Sequence, residues 1–204
     1  MEHIDYRDVK FNSIDEFMEY DRTHDELLEY INGEVYLFGS PSSNNGNIYL
    51  FASPSPYHEV ITINIVLALG NYLNNIKSRC RVYSAPTDLK LGDNKFIPDL
   101  MVQCVKAKGK YFETVPPLIV EIISPGNISH DTILKRAVYE KFGVKEYWIV
   151  YPKEKHVDVC FLNGKKYFSG TYYEDEVIES KAIDGFKISL SELFKDAPDD
   201  EEIE

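Results

Sequence analysis

The chain has 204 residues, 44% of them hydrophobic and 13% aromatic, which suits one folded domain with a sizeable core and excludes a disordered polymer. Its 34 acidic residues against 22 basic ones give a net charge of −12, so the broad basic footprint of a non-specific nucleic-acid binder is absent. The longest apolar runs fall far short of a bilayer span, and the polar start Met1-Glu2-His3-Ile4-Asp5 is unlike a secretory leader, so a cytoplasmic protein is expected with no membrane partner.

In chain order, Ser13-Ile14-Asp15-Glu16 has the spacing of a capping box, and Ile14, Phe17 and Met18 then share a helical face. Leu27 to Ile31 and Glu34 to Phe38 flank Asn32-Gly33, which predicts a hairpin. Tyr36-Leu37-Phe38-Gly39-Ser40-Pro41-Ser42 returns thirteen residues on as Tyr49-Leu50-Phe51-Ala52-Ser53-Pro54-Ser55. This short tandem duplication either extends a strand edge or forms a flexible loop. From Tyr57 to Leu73 the apolar stripe is broad and free of turn signals, which predicts a buried helix. Strands are predicted over Arg81–Ser84 and Thr87–Leu91.

Two apolar strands follow, each holding a single carboxylate: Asp99 ahead of Leu100-Met101-Val102, and Glu121 within Leu118-Ile119-Val120-Glu121-Ile122-Ile123. A charge in an apolar run is costly unless a metal ion, a hydrogen-bond network or a shifted pKa compensates it. Carboxylates on neighbouring strands repel, so such a pair tends to share a proton or bind a divalent cation. A lysine within reach would complete a metal-dependent phosphodiester site. The bland alternative for Glu121 is a buried salt bridge to Lys135 or Arg136.

Asp131 can cap a helix whose core face is Leu134, Ala137, Val138 and Phe142, with Gly143 at its end. Lys135 and Tyr139 share another face of it. Glu146–Tyr151 reads as a strand, with Tyr147 and Trp148 as core rings. A second hairpin turns at Asn163-Gly164, and Ser189 with Glu192 starts a last short helix. Cys80, Cys104 and Cys160 lack a CxxC pair and are expected as reduced thiols within strands. No second histidine stands at ligand spacing from His58, which disfavours zinc, and no Gly-rich loop follows a strand. The whole reads as one mixed α/β domain over residues 1–195 and an acidic, disordered tail over 196–204.

Pro98-Asp99, Val120-Glu121-Ile122-Ile123-Ser124-Pro125, Lys135 with Tyr139, and Gly143-Val144-Lys145-Glu146-Tyr147-Trp148-Ile149-Val150 together resemble the Uma2 family of restriction-endonuclease-like proteins, within the PD-(D/E)XK nuclease superfamily. Asn32-Gly33-Glu34-Val35 and Ser53-Pro54-Ser55-Pro56-Tyr57-His58 resemble its N-terminal segments, so the likeness spans about residues 25–195. It implies a core of four mixed strands flanked by helices, with hairpins added at both ends. It also implies catalytic Asp99, Glu121 and Lys135, with magnesium (manganese substituting) on Asp99 and Glu121. Glu34 is implied as a third acid, and His58 and Tyr139 are substrate-binding candidates. The superfamily's acid-x-lysine is broken here by Ile123, and Lys135 of the following helix takes the lysine's place. Tyr151-Pro152 replaces the family's Asp-Pro, and the tandem repeat is extra. The expected activity is a metal-dependent endonuclease acting on DNA, with a homodimer expected from the hairpin edges; the alternative is an inactive nuclease fold kept as a binding or scaffold protein.

Overall fold

The computed structural model describes residues 10–38, 49–51, 55–107, 109–124 and 128–197. Helix α1 (Ile14–Thr23) starts at Ser13, whose hydroxyl accepts the Glu16 amide at 3.2 Å. It packs Ile14 and Phe17 on Leu28 and Tyr30. β1 (Leu27–Ile31) and β2 (Glu34–Phe38) form the predicted hairpin, with Asn32 and Gly33 both at positive φ, the conformation a two-residue turn needs. β3 (Tyr49–Phe51) pairs with β2 in parallel, Tyr36 opposite Tyr49 and Leu37 opposite Leu50. The Tyr-Leu-Phe parts of the repeat therefore lie side by side and extend the sheet edge; the rest of it falls largely outside the described residues.

After helix α2 (Pro56–Asn75) come β4 (Arg81–Ser84), β5 (Asp88–Leu91), β6 (Asn94–Phe96), β7 (Leu100–Gln103), β8 (Tyr111–Phe112) and β9 (Leu118–Ile122). A π-helical turn (His130–Lys135) leads into α3 (Arg136–Phe142), which ends at Gly143 in the left-handed conformation. Then follow β10 (Glu146–Tyr151), β11 (His156–Asn163), β12 (Lys166–Tyr173), β13 (Val177–Glu179), β14 (Lys187–Ser189) and α4 (Leu190–Leu193).

The expected four-stranded mixed core is the run β10-β9-β7-β4, parallel between β9 and β10 and antiparallel elsewhere. The C-terminal hairpin β11–β12 widens it to six strands. The N-terminal hairpin joins a second six-stranded sheet, β3-β2-β1-β6-β5-β8, through the β1–β6 pairing, and β13–β14 stand apart. The first sheet is buried on both faces. Val120, Ile122, Trp148 and Val150 enter a core shared with α2, α4 and β14. Ile119, Ile123, Tyr147 and Ile149 enter the opposite core, shared with α3 and the second sheet. Successive strand residues face opposite ways, so both faces of each strand must be apolar.

Two expectations are corrected. Cys80 and Cys104 are disulfide-bonded rather than reduced, and only Cys160 is a free, buried thiol. The cause is the β4–β7 register, which sets Arg81 opposite Gln103 and so brings the flanking cysteines together. Helix α2 buries only one stripe, Ile61, Ile65, Leu69 and Leu73, and leaves Ile63 and Leu67 more than half exposed. No helix of the described residues is long and apolar enough to cross a membrane.

Candidate active site

Strand parity aims the carboxylates. Glu121 lies between Ile119 and Ile123 on the face of the sheet that looks toward α3. β7 pairs antiparallel with Leu100 opposite Val120, so Asp99 falls beside Glu121 at the same end of the sheet. The two are laced together: the Asp99 amide donates to Glu121 Oε2 at 3.2 Å, and the Ile122 amide donates to Asp99 Oδ2 at 2.7 Å. His58, from the first turn of α2, approaches Asp99 Oδ2 at 3.2 Å with Nε2.

Lys135 comes from the π-helical turn, an i→i+5 geometry frequent at functional sites. Its ammonium sits 3.0 Å from Glu121, 3.1 Å from Glu29 and 3.3 Å from Asp131. Tyr139, one helical turn on, donates to Glu121 Oε1 at 3.1 Å. Glu29 is wholly buried on β1 and also takes the Ile97 amide at 2.7 Å and His130 Nε2 at 2.8 Å. Arg136, the competing cation, points elsewhere, to Ser169.

Three carboxylates thus converge on one lysine, and Asp99 joins the group beside Glu121. Burial raises the Glu121 pKa well above the ordinary value; Lys135 opposes the rise, and Asp131, Asp99 and Glu29 add to it. Burial would pull the Lys135 ammonium down, but Glu121, Glu29 and Asp131 outweigh it and hold it well above the ordinary lysine value. Burial opposes the ionised form of Glu29 too, yet Lys135, His130 and the Ile97 amide keep its carboxyl low. Asp131 is raised by burial, then by Asp99 and Glu29, to about 7. An acid raised in this way binds more protons folded than unfolded, so its contribution to stability is full below about 4 and is lost as pH climbs through about 7. Melting curves of wild type and Asp131→Asn should therefore diverge over that window, the wild type losing more; a constant gap would contradict the assignment.

Of the residues marked in the sequence, Asp99, Glu121, Lys135, Tyr139 and His58 come together. Glu34 does not: it is exposed beside the hairpin turn, opposite Ile31, and no hydrogen bond or ion pair among the described residues ties it to the cluster. Glu29 on the paired strand occupies the place a third acid would take. Asp131 does not cap the helix; it lies within the π-helical turn as part of the cluster. Glu29 and His130 went unmarked, although Leu27-Leu28-Glu29-Tyr30-Ile31 holds its charge in an otherwise apolar strand, just as the Glu121 strand does.

The chain matches, over residues 14–191, the family model described as "Uma2: Putative restriction endonuclease". It belongs to the Uma2 family. A 189-residue stretch is 22% identical to an uncharacterized protein of Synechocystis sp., covering 90% of this chain and 91% of that one. The fold is similar to the crystal structure of a "putative nuclease belonging to DUF820" from Anabaena variabilis, with a TM-score of 0.68 and 18% identity, covering 89% of this chain and 97% of that one.

The donor set of this Uma2 protein fits a magnesium-type ion. Such ions take hard oxygen ligands, often one or two carboxylates with water filling the remaining positions. Asp99 Oδ2 is held by two donors, while Asp99 Oδ1 receives none among the described residues, which leaves it available as a ligand. Burial disfavours the Glu121 anion, so a nearby cation would stabilise it. No group of three His, Cys, Asp or Glu among the described residues is arranged to hold a metal unaided.

Glu146 shows what a purely structural buried acid looks like in the same molecule. It is fully buried, and its oxygens accept from Trp148 Nε1, the Ser180 hydroxyl and the Lys181 and Ala182 amides at 2.5–3.0 Å. Those donors stabilise the anion without a second carboxylate in the group. Glu146→Ala should cost about 3 kcal/mol, because four donors lose their acceptor. Chemical denaturation would measure it, and metal affinity in the same variant should match wild type.

Proposed function

We propose that this protein is a metal-dependent endonuclease that hydrolyses nucleic-acid phosphodiester bonds, with DNA as the expected substrate. The observation that carries the reading is the meeting of Asp99, Glu121 and Lys135 at one end of the first sheet. Asp99 and Glu121 would hold a magnesium ion, for which manganese can substitute. Such an ion, when bound, polarises a phosphoryl oxygen and acidifies water.

The chain's own groups supply the rest. His58 and the Ile122 amide fix the Asp99 carboxylate, and Tyr139 fixes Glu121, so neither must reorient when substrate arrives. The Lys135 ammonium is held protonated by its three acids and can donate to the attacking water or to the phosphate oxygen on which charge grows. Water attacks phosphorus and gives up a proton to solvent as the new P–O bond forms, the bond to the leaving sugar oxygen breaks, and that oxygen takes up a proton from solvent.

The test is magnesium-dependent cleavage by wild type and by Asp99→Ala, purified side by side. Cleavage should vanish with the carboxylate. Full activity in Asp99→Ala would refute the assignment, and absence of both cleavage and metal binding in wild type would favour the scaffold reading.

A further inference from the structure

Three aromatic rings line up on the sheet face that carries Glu121. Ile149 is opposite Glu121, and Tyr151, two residues on, shares its side of β10. His156 is opposite Tyr151, and Tyr173 is opposite His156, so register places all three on that face, past the carboxylate. The rings are in contact: Tyr151 stacks on His156 at 4.2 Å between centroids and 15° between planes, and His156 meets Tyr173 at 5.5 Å and 34°. Tyr151 and His156 are part-buried, while Tyr173 is 53% exposed and forms the open end of the row. Asp158 anchors Tyr151 by a side-chain hydrogen bond and accepts the Thr171 hydroxyl at 2.6 Å, so the row is built before any ligand arrives.

Resting on the nuclease reading above, we propose that the Tyr151–His156–Tyr173 row is a stacking platform for unpaired bases of the substrate, and that the enzyme engages single-stranded or locally opened nucleic acid next to the scissile phosphate. Aromatic stacking binds any base and needs little positive charge, which suits a chain of net charge −12. The turn between β10 and β11, which joins Tyr151 to His156, carries exposed Lys153 and Lys155 with Glu154 between them. Glu174, Asp175 and Glu176 follow Tyr173, and their charge disfavours the two close lines of phosphates of a duplex. A single strand can lay a base on Tyr173 and turn its backbone toward the lysines.

The test is fluorescence anisotropy of the full-length Glu121→Gln protein, with a labelled oligothymidylate and an abasic oligomer of equal length. Oligothymidylate should bind more tightly than the abasic strand. Adding Tyr173→Ala should weaken oligothymidylate by roughly tenfold and leave the abasic strand unchanged, whereas Tyr173→Phe should bind as the parent. Equal binding of the two oligomers, no binding of either, or an undiminished Tyr173→Ala variant with its fold intact by circular dichroism, would each overturn the platform. Base-dependent binding together with a wild type that cleaves nothing would sink the nuclease reading and leave the platform standing.

Discussion

Lys135→Met is expected to lower single-turnover cleavage by about two to three orders of magnitude while metal binding persists. The ammonium is the cation shared by Glu121, Glu29 and Asp131, and in the proposed chemistry it is the group that would donate to a phosphate oxygen or to the attacking water. Methionine keeps most of the length of the side chain and removes the charge together with its three N–H donors. The three acids then lose their compensation, so the metal-free variant should melt below wild type, and magnesium should recover much of that loss. Two measurements separate the roles. Cleavage lost with metal affinity kept identifies a group acting on substrate. Metal affinity lost together with cleavage would make Lys135 a structural counter-ion, and the proposed chemistry would need another donor.

The second large effect concerns stability. Glu29→Ala should cost about 3–5 kcal/mol, since it strands the Ile97 amide, His130 and one arm of Lys135 in a fully buried place. Glu29→Gln should cost less, because the amide oxygen can still accept from Ile97. Urea denaturation of the three proteins would give the order wild type, Gln, Ala. A loss below about 1 kcal/mol in Glu29→Ala would mean that the cluster is wetter and looser than its geometry implies.

The local elements were legible because local rules govern them. Ser13 caps α1, Asn32-Gly33 and Asn163-Gly164 turn the hairpins, and Gly143 ends α3. Glu121 stood out because charge within an apolar strand demands a reason, and Lys135 followed from the Uma2 pattern. What the sequence hid depends on pairing across long separations. Glu29 breaks an apolar strand, but its partners Ile97, His130 and Lys135 lie 68 or more residues away and only the folded chain shows them. The Cys80–Cys104 bond depends on the β4–β7 register, which spacing alone cannot supply. Glu34 drew notice through the Gly-Glu pattern, yet the turn leaves it in solvent. The π-helical turn has no marker in composition, so Asp131 passed for a cap. The aromatic row was equally invisible, because Tyr151, His156 and Tyr173 become neighbours only when three strands align.

Manganese-dependent cleavage of mixed single- and double-stranded DNA by wild type and Glu121→Gln, prepared identically, tests the central claim most directly. Wild type should cleave, with preference for the single strand, and the variant should lose activity. Cleavage of equal rate and equal metal dependence in Glu121→Gln would contradict it, because the carboxylate on which the site is built would then play no part.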